Sequence, residues 1–407
     1  MFFLSVYYIY MFSGIAFVLC VLLTVLVMFV CKKYSLYDSV SARKIHSGKI
    51  PRLGGIAFAV SFFICAIICF KIDNTLSFKN MWPLIASGTL IFVFGIIDDL
   101  IEMRAIFKLL VQLAATLILV LNDFKIRRIF SWQLPDYISY CLTFFWILGI
   151  INAFNLIDGL DGLCGTLSLC ALVIYGILFI NNKYEEGAAI CFILSASLVG
   201  FLCFNWPPAK IFMGDGGSQF LGFMIATIPL YSINAENLEY NKFIIQLLVV
   251  AIPMLDTIAA IWRRIRDHRP IMSPDRLHLH HKLLNIGFTK THTLYLLLGI
   301  QIFICSNIFL ASRIMSKRQA ALLLFLIYIF IIAFFCVIHY TNRAVLRRIT
   351  LENQLRNKEK IPAVCVSPVQ ALWLIKPTSL IRDADLNLRI AGLPAHKAGR
   401  WKQRNRT

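Results

Sequence analysis

Eleven separate runs of apolar residues dominate the sequence, and a helix that crosses a bilayer needs about 17–25 such residues. The runs lie near 8–31, 54–70, 81–97, 106–121, 137–152, 163–181, 187–203, 211–232, 243–262, 291–312 and 319–340. Of the 407 residues, 59% are hydrophobic and only 15% are charged, whereas a soluble domain is about 45–50% apolar and about 25% charged. We therefore predict an all-α, polytopic membrane protein with about eleven transmembrane helices. The same composition excludes a soluble globular chain, a disordered chain and a fibrous chain.

Charge predicts which connections between these spans face the cytoplasm. The net charge is +19, and the odd-numbered connections hold 16 of the 40 Lys and Arg residues, with Lys108 counted among them. The even-numbered connections hold 10, and the tail 341–407 holds 14. Because cytoplasmic loops carry the excess of Lys and Arg, we predict a cytoplasmic C-terminus and an outside N-terminus. The chain then consists of a transmembrane domain, 1–340, and a basic cytoplasmic tail, 341–407, which forms either a surface helix near Arg343–Lys360 or a disordered extension.

The acidic, amide and histidine side chains gather on the predicted cytoplasmic side, where several loops could build one composite site. The run GIIDDLIE places Asp98 and Asp99 at the end of the third span, with Glu102 one helical turn further. Adjacent carboxylates suit a hard divalent cation, or one can bind the cation while the other acts as a base. A solvated acidic loop is the alternative interpretation.

Two further motifs carry polar residues between apolar spans. In INAFNLIDGLDGL, Asn152, Asn155 and Asp158 recur every three residues on one helical face, and Asp161 follows. They offer donors and acceptors for a sugar, a base or hydrated Mg²⁺, unless they only cap a loop. In FMGDGGSQFLG, glycines surround Asp215 at a helix start, where free N–H groups attract an anion. Mg²⁺ bridging Asp215 to a phosphate would relieve the repulsion between them, and a glycine hinge is the alternative.

Two basic loops complete the predicted site. The run SPDRLHLHHKLL contains Arg276, His278, His280 and His281, whose side chains can donate to phosphate oxygens. Zinc binding is the alternative for the histidines, and a topology signal is the alternative for the arginines of this loop. In RKIHSGKIPRLGG, Lys49 is either another anion contact or part of a membrane anchor. Together these motifs predict a Mg²⁺-dependent reaction on a phosphate-bearing substrate at the membrane surface.

The motifs RKIHSGKIPRLGG, GIIDDLIE, NAFNLIDGLDGL, MGDGGS, PMLDT and PDRLHLHH resemble, in this order, those of the polyprenyl-phosphate N-acetylhexosamine-1-phosphate transferases. The long histidine loop is more similar to the branch that starts O-antigen, enterobacterial common antigen or teichoic acid synthesis. The resemblance implies that undecaprenyl phosphate takes a sugar 1-phosphate from a UDP-N-acetylhexosamine in the bacterial inner membrane and that UMP leaves. Direct attack and a covalent aspartyl-phosphate route both remain open.

By matching position, the resemblance implies a role for each motif. Asp98 is expected to be the base, and Asp215 the ligand of Mg²⁺, with Mn²⁺ as an alternative cation. Asp99, Asn155 and Asp158 are expected to shape the metal and nucleotide site, Asp99 as a further ligand and both aspartates within the catalytic set. The histidines are expected to contact the diphosphate or the sugar.

Other classes of function remain to be weighed against this one. A phospho-MurNAc-pentapeptide translocase would share the motifs. An ion-coupled transporter would explain intramembrane acids such as Asp256, but not the gathering of acids, amides and histidines on one side. An inactive scaffold would not need intact motifs, and nucleic-acid binding is disfavoured because the basic excess is mostly tail and topology. The donor sugar and the presence of a homodimer are not determined.

Overall fold

The computed structural model describes residues 2–37, 50–73, 76–101, 103–129, 132–233, 242–270 and 277–359. The helices, in chain order, are α1 (Phe2–Lys33), α2 (Gly55–Ile72), α3 (Phe78–Ile101), α4 (Ala105–Leu121), α5 (Asp136–Ile157), α6 (Leu163–Asn181), α7 (Glu185–Asn205), α8 (Gly214–Ile233), α9 (Lys242–Val249), α10 (Ala251–Arg266), α11 (Leu279–Ile286), α12 (Lys290–Ile314) and α13 (Lys317–Glu359). Two short antiparallel strands, β1 (Arg128–Ile129) and β2 (Trp132–Gln133), form a hairpin between α4 and α5. Helices satisfy their own backbone hydrogen bonds, as an apolar environment requires.

Eight of the helices in the described part of the chain are long and apolar enough to cross a membrane. They are α1, α2, α3, α5, α6, α7, α12 and α13. The pair α9–α10 makes a ninth if it counts as one span, and α4 is a shorter apolar helix. Each of the eleven predicted runs falls on one of these helices, on α8 or on the pair α9–α10. The predicted all-α, polytopic membrane architecture is confirmed, and the number of eleven spans stays a prediction.

The predicted run 243–262 is not one straight helix. It breaks at Val250, where α9 and α10 meet at 76°. Pro253 has no N–H with which to bond the carbonyl of Val249 four residues earlier, which weakens the helix at this point. The side-chain amide of Gln301 on α12 donates to that carbonyl at 3.0 Å instead. The carbonyl oxygen of Val249, which the break leaves without a helical partner, is therefore hydrogen-bonded inside the bundle.

The helix α8 lies near the centre of the bundle and packs against α2, α3 and α5. Its fully buried Phe220 contacts Phe58 and Phe63 on α2 and Phe92 on α3, with ring centroids 5.3–6.4 Å apart. Nearer its start, a Cβ placed on Gly95 of α3 would lie only 2.4 Å from the Cα of Gly216. The two backbones touch at this point, so α3 and α8 have a fixed separation.

The chain divides into two compact units, Met1–Arg343 and Ala344–Thr407. In the second unit the described residues, 344–359, are the helical end of α13. The sequence left a surface helix and a disordered extension as alternatives for this stretch. Residues as far as Glu359 are helical and continue α13, while the location on a membrane surface stays a prediction. The division into a transmembrane domain and a cytoplasmic tail at residue 340 stays a prediction.

Candidate active site

Four aspartates from three helix ends form what we call the acid cluster, which consists of Asp98, Asp99, Asp158 and Asp215. Asp98 and Asp99 lie in the last turn of α3, Asp158 directly follows α5, and Asp215 lies in the first turn of α8. Successive helices that run in opposite directions bring these ends to one side of the bundle. The side chains of Asp98 and Asp99 are only 2% exposed, whereas that of Asp215 is 25% exposed. The cluster thus has a buried floor and a solvent-accessible edge.

Asp99 holds the N-terminus of α8. Its two carboxylate oxygens accept hydrogen bonds from the backbone N–H groups of Asp215 at 2.8 Å and Gly216 at 2.9 Å. These N–H groups have no partner within the helix and lie at the positive end of its dipole. The sequence predicted that an anion would bind them, and in the structure that anion is Asp99 itself. The backbone can approach so closely because Gly214 has φ +80° and no side chain, and a Cβ there would lie 2.5 Å from Asp99 Oδ2.

Arg52 brings the first cation to the cluster. Its guanidinium lies 3.1 Å from Asp99 Oδ1 and donates to Asp215 Oδ1 at 2.8 Å. The local backbone explains this placement, since Phe212 N–H donates to the carbonyl of Pro51 and Gly54 N–H donates to the carbonyl of Phe212. The segment before α2 therefore runs beside the segment before α8, and Arg52 reaches over the start of α8.

Lys108 brings the second cation, from the first turn of α4. Its ammonium group forms ion pairs with Asp98 Oδ2 and, at 3.2 Å, with Asp215 Oδ2. The connection between α3 and α4 is short, and the backbone N–H of Met103 within it donates to Asp98 Oδ1 at 2.8 Å. Asp98 thus fixes the turn that places Lys108 between two carboxylates.

A cleft between α3, α4 and α8 ends at this ion pair. Its lining is apolar at Ile91, Phe94 and Val111 and polar at Asp98, Lys108 and Gln219. The outward side chains of α4 next to the cleft, among them Phe107 and Leu110, are large, apolar and exposed. The small cleft therefore places apolar side chains beside an ion pair between the half-buried Lys108 and the buried Asp98, and this combination suits an amphiphile with an anionic head.

The predicted asparagines connect α5 to its neighbours. Asn155 donates to Ser218 Oγ in the first turns of α8 at 3.0 Å. Asn152, one turn earlier, donates to Gln112 Oε1 on α4 at 3.0 Å, and Gln112 donates to Gln219 Oε1 on α8 at 3.2 Å. Asn155 therefore lies beside the acid cluster, and Asn152 joins a chain of amides along the cleft.

Asp158 and Asp161 have different surroundings. Burial raises the pKa of Asp158 well above its usual range, and the negative charges of Asp215 and Asp99 raise it further, while Arg52 lowers it. Asp161 Oδ2 accepts from the backbone N–H of Ala209 at 3.1 Å, so it ties two loops together. Asp158 thus lies within the electrostatic influence of Asp99, Asp215 and Arg52. Asp161 instead makes a hydrogen bond that links two segments of the protein.

The three histidines form a compact group at the start of α11. The rings of His278 and His280 are parallel with centroids 6.1 Å apart, and those of His280 and His281 are 4.3 Å apart. A Cβ on Gly159 would lie 2.6 Å from His280 Nε2, so the group packs directly against the loop that follows Asp158. Burial, aided by His281, lowers the pKa of His280 to about 3, and its ring is neutral at pH 7.

Lys49, Arg276 and Glu102 lie outside the described residues, and their predicted roles stay predictions. The two cations that pair with the acid cluster, Arg52 and Lys108, were not among the predicted site residues. Lys108 did carry a signal, because it is a lone cation near the start of an apolar helix, and such a residue is a functional candidate by default. Arg52 carried none beyond the positive charge of its loop.

The acid cluster has the chemistry of a magnesium site that substrate completes. Among the described residues, no group of three or more His, Cys, Asp or Glu side chains forms a metal site by itself. Mg²⁺ commonly takes one or two carboxylates and completes its shell with water and substrate phosphates. Asp98 and Asp215 offer such oxygens. Four carboxylates against the charges of Arg52 and Lys108 also leave room for one divalent cation.

Residues 81–233, which include the whole acid cluster, match the family described as glycosyl transferase family 4. The chain is 33% identical over 317 residues to the probable undecaprenyl-phosphate N-acetylglucosaminyl 1-phosphate transferase of Bacillus subtilis (strain 168), which covers 76% of this chain and 86% of that relative. It is 31% identical over 281 residues to the undecaprenyl-phosphate alpha-N-acetylglucosaminyl 1-phosphate transferase of Escherichia coli (strain K12), 66% of this chain and 74% of the relative. The relative of that name in Yersinia pestis is 33% identical over 275 residues, 65% of this chain and 74% of the relative.

Proposed function

We infer the activity of this chain from the family to which it belongs, the polyprenyl-phosphate N-acetylhexosamine-1-phosphate transferases. The chain transfers a sugar 1-phosphate to undecaprenyl phosphate and starts the synthesis of a lipid-linked polysaccharide. We propose that the donor is a UDP-N-acetylhexosamine. UDP-GlcNAc is the first candidate, because the relatives' names contain N-acetylglucosaminyl 1-phosphate. The phosphate of the lipid takes the place of UMP on the β-phosphorus, so one P–O bond forms, one breaks, and UMP leaves.

The observation that carries this proposal is the cleft that ends at Lys108 and Asp98. A polyprenyl chain is apolar and its head is a phosphate, so it needs an apolar path that ends at a cation. Ile91, Phe94 and Val111 line the small cleft beside the Lys108 ammonium, where we propose that the first part of the lipid next to its phosphate would lie. A charge-assisted contact between this ammonium and the lipid phosphate would hold the acceptor beside the carboxylates.

The acid cluster is proposed to hold Mg²⁺ and to accept the proton of the lipid phosphate. Asp215, at the accessible edge, would bind the cation. Bound Mg²⁺ would offset the repulsion between two phosphates and stabilise the charge that develops on the leaving UMP. Asp98 would accept a proton from the lipid phosphate at Oδ2, the oxygen next to Lys108. Asp99, whose oxygens already accept hydrogen bonds from the start of α8, is proposed to position Asp215, and its role as a second metal ligand stays a prediction.

The donor is proposed to lie on the other side of the cluster, between the Asn155–Asp158 face and the histidines. Asn155 and Asp158 offer donors and acceptors for the nucleotide or the sugar. His281 offers a ring N–H group for the diphosphate, and His278 offers its second ring nitrogen to the sugar. The neutral ring of His280, which packs against Gly159, would hold the histidine group against the loop that carries Asp158.

We propose the bacterial cytoplasmic membrane as the location. The excess of Lys and Arg in the odd-numbered connections and the tail supports a cytoplasmic position for the acid cluster, the histidines and the C-terminus. A nucleotide sugar made in the cytoplasm would then reach the site directly, while the acceptor arrives from the bilayer.

The test is a UMP-release assay with the purified full-length protein. We expect UMP release that needs both Mg²⁺ and undecaprenyl phosphate when UDP-GlcNAc, UDP-GalNAc and UDP-MurNAc-pentapeptide are supplied one at a time. Release with the pentapeptide donor alone would assign the chain to the peptidoglycan reaction instead. No release with any of the three donors would refute the proposed function.

Variants assign the roles within the cluster. Asp98→Asn and Asp215→Asn should each lower UMP release by at least about 100-fold, the scale of a lost acid–base or charge-stabilising group. Asp136→Asn is the matched control, because this exposed carboxylate lies at the opposite end of α5 and contacts Lys125. Activity close to wild type in either cluster variant would refute the role given to that residue.

A further inference from the structure

Asp256 is a buried carboxylate that the acid cluster does not include. It lies on α10, three residues after Pro253, and is 2% exposed. Its Oδ2 lies 3.0 Å from His278 Nδ1, and its Oδ1 accepts the backbone N–H of Leu279 at 2.8 Å. Both oxygens therefore act on the first residues of α11, where the histidines begin.

The contact with His278 determines which ring nitrogen carries hydrogen. A carboxylate can only accept, so Nδ1 must donate the hydrogen, and Nε2 of the neutral ring is then left as a hydrogen-bond acceptor. The parallel rings of His278 and His280 then place His280 against Gly159, next to Asp158. A continuous set of contacts thus runs from Asp256 to the loop at the acid cluster.

We propose that Asp256 is a positioning residue of the transfer reaction, which fixes the orientation and the tautomer of His278 and thereby leaves its Nε2 as an acceptor for a hydroxyl or N–H group of the donor sugar. The proposal rests on the proposed function, which gives His278 its contact with the substrate. Asp256 itself touches neither substrate nor cation.

One substitution separates this role from a purely structural one. Asp256→Asn keeps an amide oxygen that can still accept from Leu279 N–H, but its NH₂ group now donates toward Nδ1. The hydrogen bond from Leu279 N–H is then kept, whereas His278 Nδ1 no longer faces a carboxylate and the ring changes to the tautomer with hydrogen on Nε2. Replacing an orienting carboxylate in this way can leave the geometry intact and still impair the reaction.

We expect Asp256→Asn to lower kcat/KM for UDP-GlcNAc by about 10–100-fold, the usual range for a residue that orients a functional histidine. Asp267→Asn, which removes an exposed acid just after the same helix, is the matched control and should stay near wild type. In a His278→Ala background, Asp256→Asn should lower kcat/KM by less than about a further twofold, because the residue through which Asp256 acts is already absent. An equal loss in both backgrounds would overturn the proposal.

A second measurement does not depend on activity. In protein labelled with ¹⁵N-histidine, the His278 ring is identified by its absence from His278→Ala, and we expect hydrogen on Nδ1 in the wild type and its loss in Asp256→Asn. A wild-type ring without hydrogen on Nδ1, or a ring that Asp256→Asn leaves unchanged, would overturn the proposal. If the wild type releases no UMP, the proposed function fails, and the ring spectrum still decides whether Asp256 orients His278.

Discussion

Gly95→Ala tests whether the contact between α3 and α8 positions the acid cluster. The new Cβ would lie 2.4 Å from the Cα of Gly216, and ordinary contact begins at about 3.4 Å. Since both atoms belong to backbone, the helices must separate by about 1 Å. That shift moves Asp98 and Asp99 on α3 away from Asp215 on α8.

We expect a large loss of activity in a protein that still folds. A misplacement of about 1 Å can cost about 100-fold in rate, whereas overpacking of a core costs about 1–3 kcal/mol. We therefore expect UMP release by Gly95→Ala to fall by about 100-fold while the purified protein remains folded. The assay is UMP release together with a melting curve of the same sample.

Two controls use the same substitution elsewhere. On α3, a Cβ at Gly88 would lie 3.3 Å from a ring atom of Phe220, and on α12 a Cβ at Gly299 would meet nothing within 4 Å. Gly88→Ala should cost a few-fold at most, and Gly299→Ala should have no effect. A folded Gly95→Ala protein with wild-type activity would show that the separation of α3 and α8 does not control the site.

The remaining predictions concern charge. Without Mg²⁺, Asp158→Asn should melt at a higher temperature than the wild type at pH 7. The gain should vanish as pH falls below about 4, because the raised pKa of Asp158 makes its ionised form destabilising only above the pKa of the unfolded chain. Equal melting temperatures of variant and wild type at both pH values would contradict this. The pKa of His280 in the folded protein is about 3, so between pH 6.5 and 3 this ring binds a proton in the unfolded chain but not in the folded one. The free energy of unfolding of the wild type should therefore decrease as pH falls through this range. His280→Gln should reduce that slope, and an unchanged slope would argue against a buried neutral ring. Added Mg²⁺ should raise the melting temperature of the wild type but not of Asp215→Asn, and an equal rise in both would remove Asp215 from the metal site.

The sequence predicted the architecture and much of the site because membrane spans leave a strong local signal. Each apolar run coincides with helix, and the motif acids Asp98, Asp99, Asp158 and Asp215 do meet. Polar residues are scarce in such a chain, so their position along it carries information about the site.

Contacts between distant segments could not be predicted in this way. The pairing of Lys108 with Asp98 and Asp215 depends on a short turn and on helix packing, neither of which leaves a local pattern. The break at Val250 leaves no pattern in hydropathy because both halves of the run are apolar, and Pro253 nearby is the residue that weakens the helix there. Asp99 was predicted to bind a cation, and only its two bonds from the start of α8 reveal a positioning contact.

The most direct test of the central claim follows the β-phosphate of the donor. The full-length protein is incubated with Mg²⁺, undecaprenyl phosphate and UDP-GlcNAc labelled with ³²P at the β-phosphate, and the lipid is then extracted. Transfer of a sugar 1-phosphate predicts label in the lipid fraction and an equal amount of unlabelled UMP, and Asp215→Asn should abolish both. Label that stays in the aqueous phase as UDP would mean that only the sugar moved, and it would contradict the account.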